Sequence, residues 1–117
     1  MKPDKLEKII NEAFENKQSV SESSDTKILD AIKETIELTD KGNLRVAEKK
    51  NGKWLVNQWI KKAILLSFRI NKMVMSKGPY TTWYDKVPGK SVSWSETDWK
   101  KAGYRHVPNG VVRKGSF

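Results

Sequence analysis

Arg105 is the charged residue most suggestive of chemistry. It follows Gly103 and Tyr104 and precedes Val107-Pro108. A rigid turn around an arginine can aim a planar guanidinium at a carboxylate and grip it with two hydrogen bonds. The plainer alternative is an arginine paired with a local acid. His106 is the one histidine, and Cys is absent. Thiolate nucleophiles, disulfides and Cys-based zinc sites are therefore excluded. A serine triad would need His106 beside a nucleophile and an acid, and Arg105 and Val107 around it form no such motif. His106 reads as an incidental surface or packing residue. Neither Gly-rich phosphate-loop pattern occurs. In the second part of the chain only Glu48, Asp85, Glu96 and Asp98 are acidic, and they suggest no acid–base pair.

The five tryptophans, 54, 59, 83, 94 and 99, lie among lysines. Such interleaving can stack bases while cations hold phosphates. Trp54 and Trp59 fall on apolar stripes and read as core instead. Packing is also the preferred reading for Trp83, Trp94 and Trp99, because tryptophan usually buries most of its ring. Lys49-Lys50-Lys53 and Lys61-Lys62 read as solvated faces.

Several elements must position these groups. Leu6, Ile9, Ile10, Ala13 and Phe14 form one helical stripe, which predicts a helix over about 5–16. Asp4 and Glu7 suggest a capping box, with Pro3 as the boundary. The Ser-rich stretch from Gln18 to Asp25 reads as a loop ending in a cap at Ser24 or Asp25. Ile28, Leu29, Ile32 and Ile36 continue at helical spacing to Leu38, and Gly42 suits a left-handed stop. The two form a helical hairpin over about 5–40. Leu44 and Val46 alternate, as do Trp54 and Val56, around Asn51-Gly52. That predicts a β-hairpin over about 44–56 with a type I′ turn. The most apolar segment, about 56–70, reads as a central helix buried on nearly every side.

Beyond it, Gly78-Pro79 breaks the chain, Tyr80 to Tyr84 is β-prone, and Pro88-Gly89 is a turn. Ser95 with Asp98 caps a short helix over about 95–102 that ends at Gly103. Residues 104–117 read as an extended segment broken by Pro108-Asn109-Gly110. The fold class is mainly α with a small β-hairpin (α+β), with residues 1–103 as one helical domain. At 117 residues the chain has the length of one domain. No apolar run is long enough for a transmembrane helix, and the N-terminus lacks the apolar core of a secretory signal. The expected compartment is the cytoplasm. The net charge of +9 is unevenly spread. Residues 1–43 carry 7 Lys against 10 acids, and residues 44–117 carry 16 Lys and Arg against 4 acids. The basic part should face an anionic partner: nucleic acid, a phosphate-bearing cofactor or a carboxylate substrate.

Several blocks resemble the N-terminal part of the tetrahydrodipicolinate N-succinyltransferase family. They are Ile9-Ile10-x-x-Ala13-Phe14-Glu15; Leu44 to Lys49; Asn51-Gly52; and Trp54 with Asn57 to Asn71. They continue with Tyr84-Asp85-Lys86-Val87-Pro88, Gly103-Tyr104-Arg105-x-Val107-Pro108 and Val112-Arg113-x-Gly115-x-Phe117. The resemblance runs in order along almost the whole chain. It implies a helical N-terminal domain ahead of a left-handed parallel β-helix of hexapeptide repeats. It implies transfer of succinyl from succinyl-coenzyme A, as co-substrate, to tetrahydrodipicolinate in lysine and diaminopimelate biosynthesis. It also implies a homotrimer with active sites between neighbouring β-helices, and no bound cofactor or metal.

By the same resemblance Arg105 contacts a substrate carboxylate, while the catalytic and coenzyme A residues would lie beyond Phe117. The family usually has a second proline where this chain has Asn109, and segments 72–82 and 89–100 match poorly. Residues 104–117 would be a lead-in to the β-helix, mobile without it. The chain alone would be a fragment without transferase activity. Two other functions compete: a small basic nucleic-acid-binding module, and a non-catalytic oligomerisation domain with Trp59 and Leu66 on an interface.

Overall fold

Three helices bury their apolar stripes against one another, and everything else is attached to them. The computed structural model describes all residues 1–117. Helix α1 spans Pro3–Glu15, a 3₁₀ turn spans Lys17–Ser19, and α2 spans Thr26–Asp40. Strands β1 (Ala47–Lys50) and β2 (Lys53–Val56) precede α3 (Gln58–Ile70). Strands β3 (Val74–Lys77) and β4 (Thr82–Asp85) precede the short α4 (Glu96–Ala102). The two strand pairs are separate antiparallel ribbons. The α+β class holds, with four helices and two small hairpins.

The core is the meeting of Leu6, Ile9, Ile10 and Ala13 of α1 with Ala31 and Ile32 of α2 and Trp59, Ile60, Ala63, Leu66 and Ile70 of α3. Thr35 and Thr39 are buried on α2, and each hydroxyl donates to the carbonyl one turn back. Burial therefore leaves neither hydroxyl unpaired.

The helix ends follow local chemistry, with one correction. Pro3 is the first residue of α1 rather than its boundary, and no side chain caps that end. The missing N–H of proline costs nothing at this position, so a capping box at Asp4 is not needed. Asp25 caps α2 by accepting the Lys27 N–H at 2.7 Å. Helix α3 starts at Gln58, two residues later than the apolar run, because Val56 belongs to β2. Asn57 joins ribbon to helix: its side-chain amide donates to the Arg45 carbonyl at 2.7 Å and to Glu48 at 3.0 Å. Leu65 is exposed, so α3 is buried along one broad face and not all round.

The first ribbon turns at Asn51 and Gly52, both at positive φ (49° and 75°). Its register sets Trp54 opposite Lys49. Trp54 was expected in the core, yet it is 72% exposed. A two-stranded ribbon covers neither of its own faces, and no helix lies over this one. The second ribbon was half legible: Tyr80 to Tyr84 was expected to be extended, but its partner strand Val74–Lys77 was not. The molecule measures 42 × 40 × 20 Å, with a radius of gyration of 16.0 Å. A compact chain of this length would have about 13 Å. The excess reflects ribbons and a last segment that project from the helical core.

Truncating Leu66 to alanine should cost about 2–5 kcal/mol, because the site is fully enclosed. Trp54→Ala should change stability by less than about 0.5 kcal/mol. Urea denaturation followed by circular dichroism checks both.

Candidate functional site

The turn that carries Arg105 is built from α4 onward. Ser95 accepts the Asp98 N–H, and Asp98 accepts the Ser95 N–H at 2.8 Å, completing a capping box. Gly103 closes the helix in the left-handed region (φ 73°). Trp94, Trp99 and Tyr104 then pack edge to face, with ring centroids 4.8 to 6.3 Å apart. The His106 ring lies 5.6 Å from Trp99, and its Nε2 donates to the Gly110 carbonyl at 2.9 Å. The Gly110 N–H returns to the Val107 carbonyl at 2.8 Å, across Asn109 at φ 72°. Asn109 takes up the left-handed conformation that asparagine tolerates better than most residues.

Arg105 therefore sits between two anchored neighbours, Tyr104 and His106. Its own side chain is exposed and joins none of the chain's ion pairs. The local-acid alternative is not what the structure shows. Arg105 presents five N–H donors on a pinned turn, a form suited to a carboxylate. His106 is a packing residue, as expected, and its role in closing the turn was not foreseen. Trp94 and Trp99 are half-buried in the aromatic cluster, while Trp83 is 42% exposed.

The last residues, read as an extended lead-in, lie against the rest of the domain in this structure. Gly89 and Arg113 form an antiparallel bridge. The Lys114 N–H donates to the Pro88 carbonyl, and the Lys90 N–H to the Val112 carbonyl, each at 2.9 Å. Arg113 pairs with Asp85 at 2.7 Å. The Lys86 backbone N–H, together with Arg113, holds the Asp85 carboxyl below its ordinary value.

Beyond the bridge, Asp40 at the end of α2 accepts the Gly115 N–H at 2.7 Å and pairs with Lys90 at 3.0 Å. Lys90 also donates to the carbonyls of Asp40 (2.7 Å) and Ser116 (2.6 Å). The Phe117 ring lies against Gly42, where a Cβ would come within 2.6 Å of it. Arg45 and Lys90 flank that ring. Gly42 thus needs to be glycine twice over, for its φ of 76° and for the ring beside it.

Together these elements can hold an anion and fix the path of the chain. The Arg105 turn offers a free planar cation, and the Asp40–Lys90 node fixes residues 115–117. None of it offers a nucleophile activated by a base, since the only imidazole is committed to Gly110. No helix is long and apolar enough to cross a membrane.

Fold and site describe a small helical domain with an exposed, unpaired arginine near its last segment. Residues 5–70 match the family profile described as tetrahydrodipicolinate N-succinyltransferase N-terminal. The chain belongs to this family. It is 58% identical over 115 residues to the 2,3,4,5-tetrahydropyridine-2,6-dicarboxylate N-succinyltransferase of Pelagibacter ubique (strain HTCC1062), across 96% of this chain and 42% of that protein. Enzymes of the same name from Agrobacterium fabrum and Psychrobacter cryohalolentis are 48% and 49% identical. Each match covers 96% of this chain and 40% or 42% of the relative. The chain thus spans about two-fifths of the length of the curated relatives it matches.

The attachment of residues 113–117 should depend on pH in a defined way. Lys114, then Lys41, holds the Glu37 carboxyl below its ordinary value of 4.5, and Glu37 holds the Lys114 ammonium above its ordinary 10.5. A lowered acid contributes above its unfolded value, and its contribution fades as pH falls through the folded one. A raised base contributes below its unfolded value, and its contribution fades as pH rises through the folded one. The attachment should be firmest between pH 5 and 10 and loosen on both sides, by amounts that solvent screening keeps small. The Gly115 amide shift, followed by NMR, should move at both ends of the titration. A flat profile would separate these charges from the attachment.

Proposed function

We propose that this chain serves as the N-terminal domain of an N-succinyltransferase. The enzyme moves succinyl from succinyl-coenzyme A to the amine of ring-opened tetrahydrodipicolinate, in the route to diaminopimelate and lysine. Membership of the family supports the reaction, and one observation supports this chain's share in it: the unpaired guanidinium of Arg105 on a turn pinned from both sides. The substrate is a dicarboxylate. Arg105 would take one carboxylate in a two-bond grip and so orient the distant amine toward the thioester. The amine's attack on the thioester carbonyl forms the amide and expels the coenzyme A thiolate. Succinyl-coenzyme A is a co-substrate, and no resident cofactor is invoked. The working assembly would be a cytoplasmic homotrimer, whose catalytic acids and coenzyme A groove lie outside residues 1–117.

The test is a chimera in which residues 1–117 replace the matching stretch of the Pelagibacter ubique relative. The chimera should release coenzyme A when given both substrates, and residues 1–117 alone should not. Arg105→Ala in the chimera should raise the KM for the dicarboxylate and lower kcat/KM by the equivalent of about 2–5 kcal/mol, typical of a lost charged pair. Arg105→Lys should recover only part, because an ammonium lacks the planar fork. An unchanged KM in Arg105→Ala would remove this residue from the site.

A further inference from the structure

A groove of about 610 Å³ runs between α2 and α3 and is closed at its sides by the root of the second ribbon and by residues 113–116. Ile36, Ile64, Phe68, Val74 and Val87 line it. All of these are at least partly open to solvent, and Val74 is 61% exposed. Apolar surface gathered into one concavity on a helical core is costly to leave in water.

Five cations stand around this groove, which would suggest a small anionic ligand. Three are paired with carboxylates, Lys72 with Glu22, Arg113 with Asp85 and Lys114 with Glu37, while Lys86 donates to the Phe68 carbonyl and Lys33 is exposed with no ion pair. Most of that charge is balanced within the domain, so the groove's main offer is apolar contact. A groove of this volume seats only a handful of side chains. A free-standing complex buries roughly 800 Å² on each partner. A covalently joined domain arrives at an effective concentration of about millimolar and needs no larger seat.

We infer that this groove seats the part of the same enzyme that lies outside the matched stretch in its relatives, more than half of their length. The inference rests on the two-domain reading just proposed. One wall of the groove is the 113–116 segment, whose Gly115 and Ser116 are held by Asp40 and Lys90. The Asp40–Lys90 node therefore shapes the seat directly. The seated surface should be apolar at its centre and should place no carboxylate over Ile36, Ile64 or Val74.

The chain has no cysteine, which makes single-cysteine labelling direct. Val74→Cys and Ile36→Cys report on the groove, and Lys5→Cys on exposed α1 is the reference. Each is made in residues 1–117 and in a cysteine-free form of the chimera, and the rate of maleimide labelling is measured. Groove cysteines should react readily in residues 1–117. In the chimera they should react at least about tenfold more slowly, the factor that ~1.4 kcal/mol of docking supplies, while Lys5→Cys is unchanged. Equal groove rates in both contexts would overturn the inference. So would slowing shared equally by Lys5→Cys. Labelling does not depend on turnover. An active chimera with open groove cysteines refutes the seat alone, and an inactive one with protected cysteines refutes the proposed reaction alone.

Discussion

The ammonium of Lys90 is the point on which the attachment of residues 115–117 to the helical core depends. It reaches the Asp40 carboxylate and two backbone carbonyls, those of Asp40 and Ser116, with only 17% of its side chain exposed. A half-enclosed ammonium with three short acceptors has its hydrogen-bonding capacity used in full. Removing either charge would strand the other in a poorly solvated place, which is why such pairs are far more costly to break than to form. The second oxygen-bound partner of Asp40, the Gly115 N–H, ties the same carboxylate to the last segment. Three remote stretches, at 40, 90 and 115–117, are thereby fixed together by one node.

This node works because the core beneath it is rigid. Helix α3 packs on both α1 and α2, and its buried stripe from Trp59 to Ile70 holds α2 in place. The end of α2 then presents Asp40 and Gly42 at a fixed position. The two motif blocks at 84–88 and 112–117 meet there through the Asp85–Arg113 pair and the bridge at Gly89. The Arg105 turn hangs between these blocks on its own aromatic cluster.

The parts legible in the sequence are those decided by neighbours in the chain. Asp25 as a cap, Asn51-Gly52 as a turn, and Ser95 with Asp98 as a capping box each involve residues within a few positions of one another. Arg105 could be singled out for the same reason, since Gly103 and Pro108 bracket it. The proposed reaction rests on the resemblance to a family, because local chemistry alone pointed to none. Trp54 misled because its stripe is apolar, while burial depends on whether another element covers the ribbon. Val74 to Lys77 escaped notice because its strand character comes from pairing with Thr82–Asp85. The contacts Asp40–Lys90 and Asp40–Gly115 span 50 and 75 residues, and no local pattern signals them.

Backbone amide exchange at Gly115 in Lys90→Met tests the dependence on this node most directly. With the ammonium gone, the Gly115 amide should exchange at close to the rate of an unstructured peptide, while the amides of Ile60 and Leu66 keep their native protection. A Gly115 amide that stays as protected as in the unaltered chain would contradict the account, and would show that the terminal segment is held by something other than Lys90.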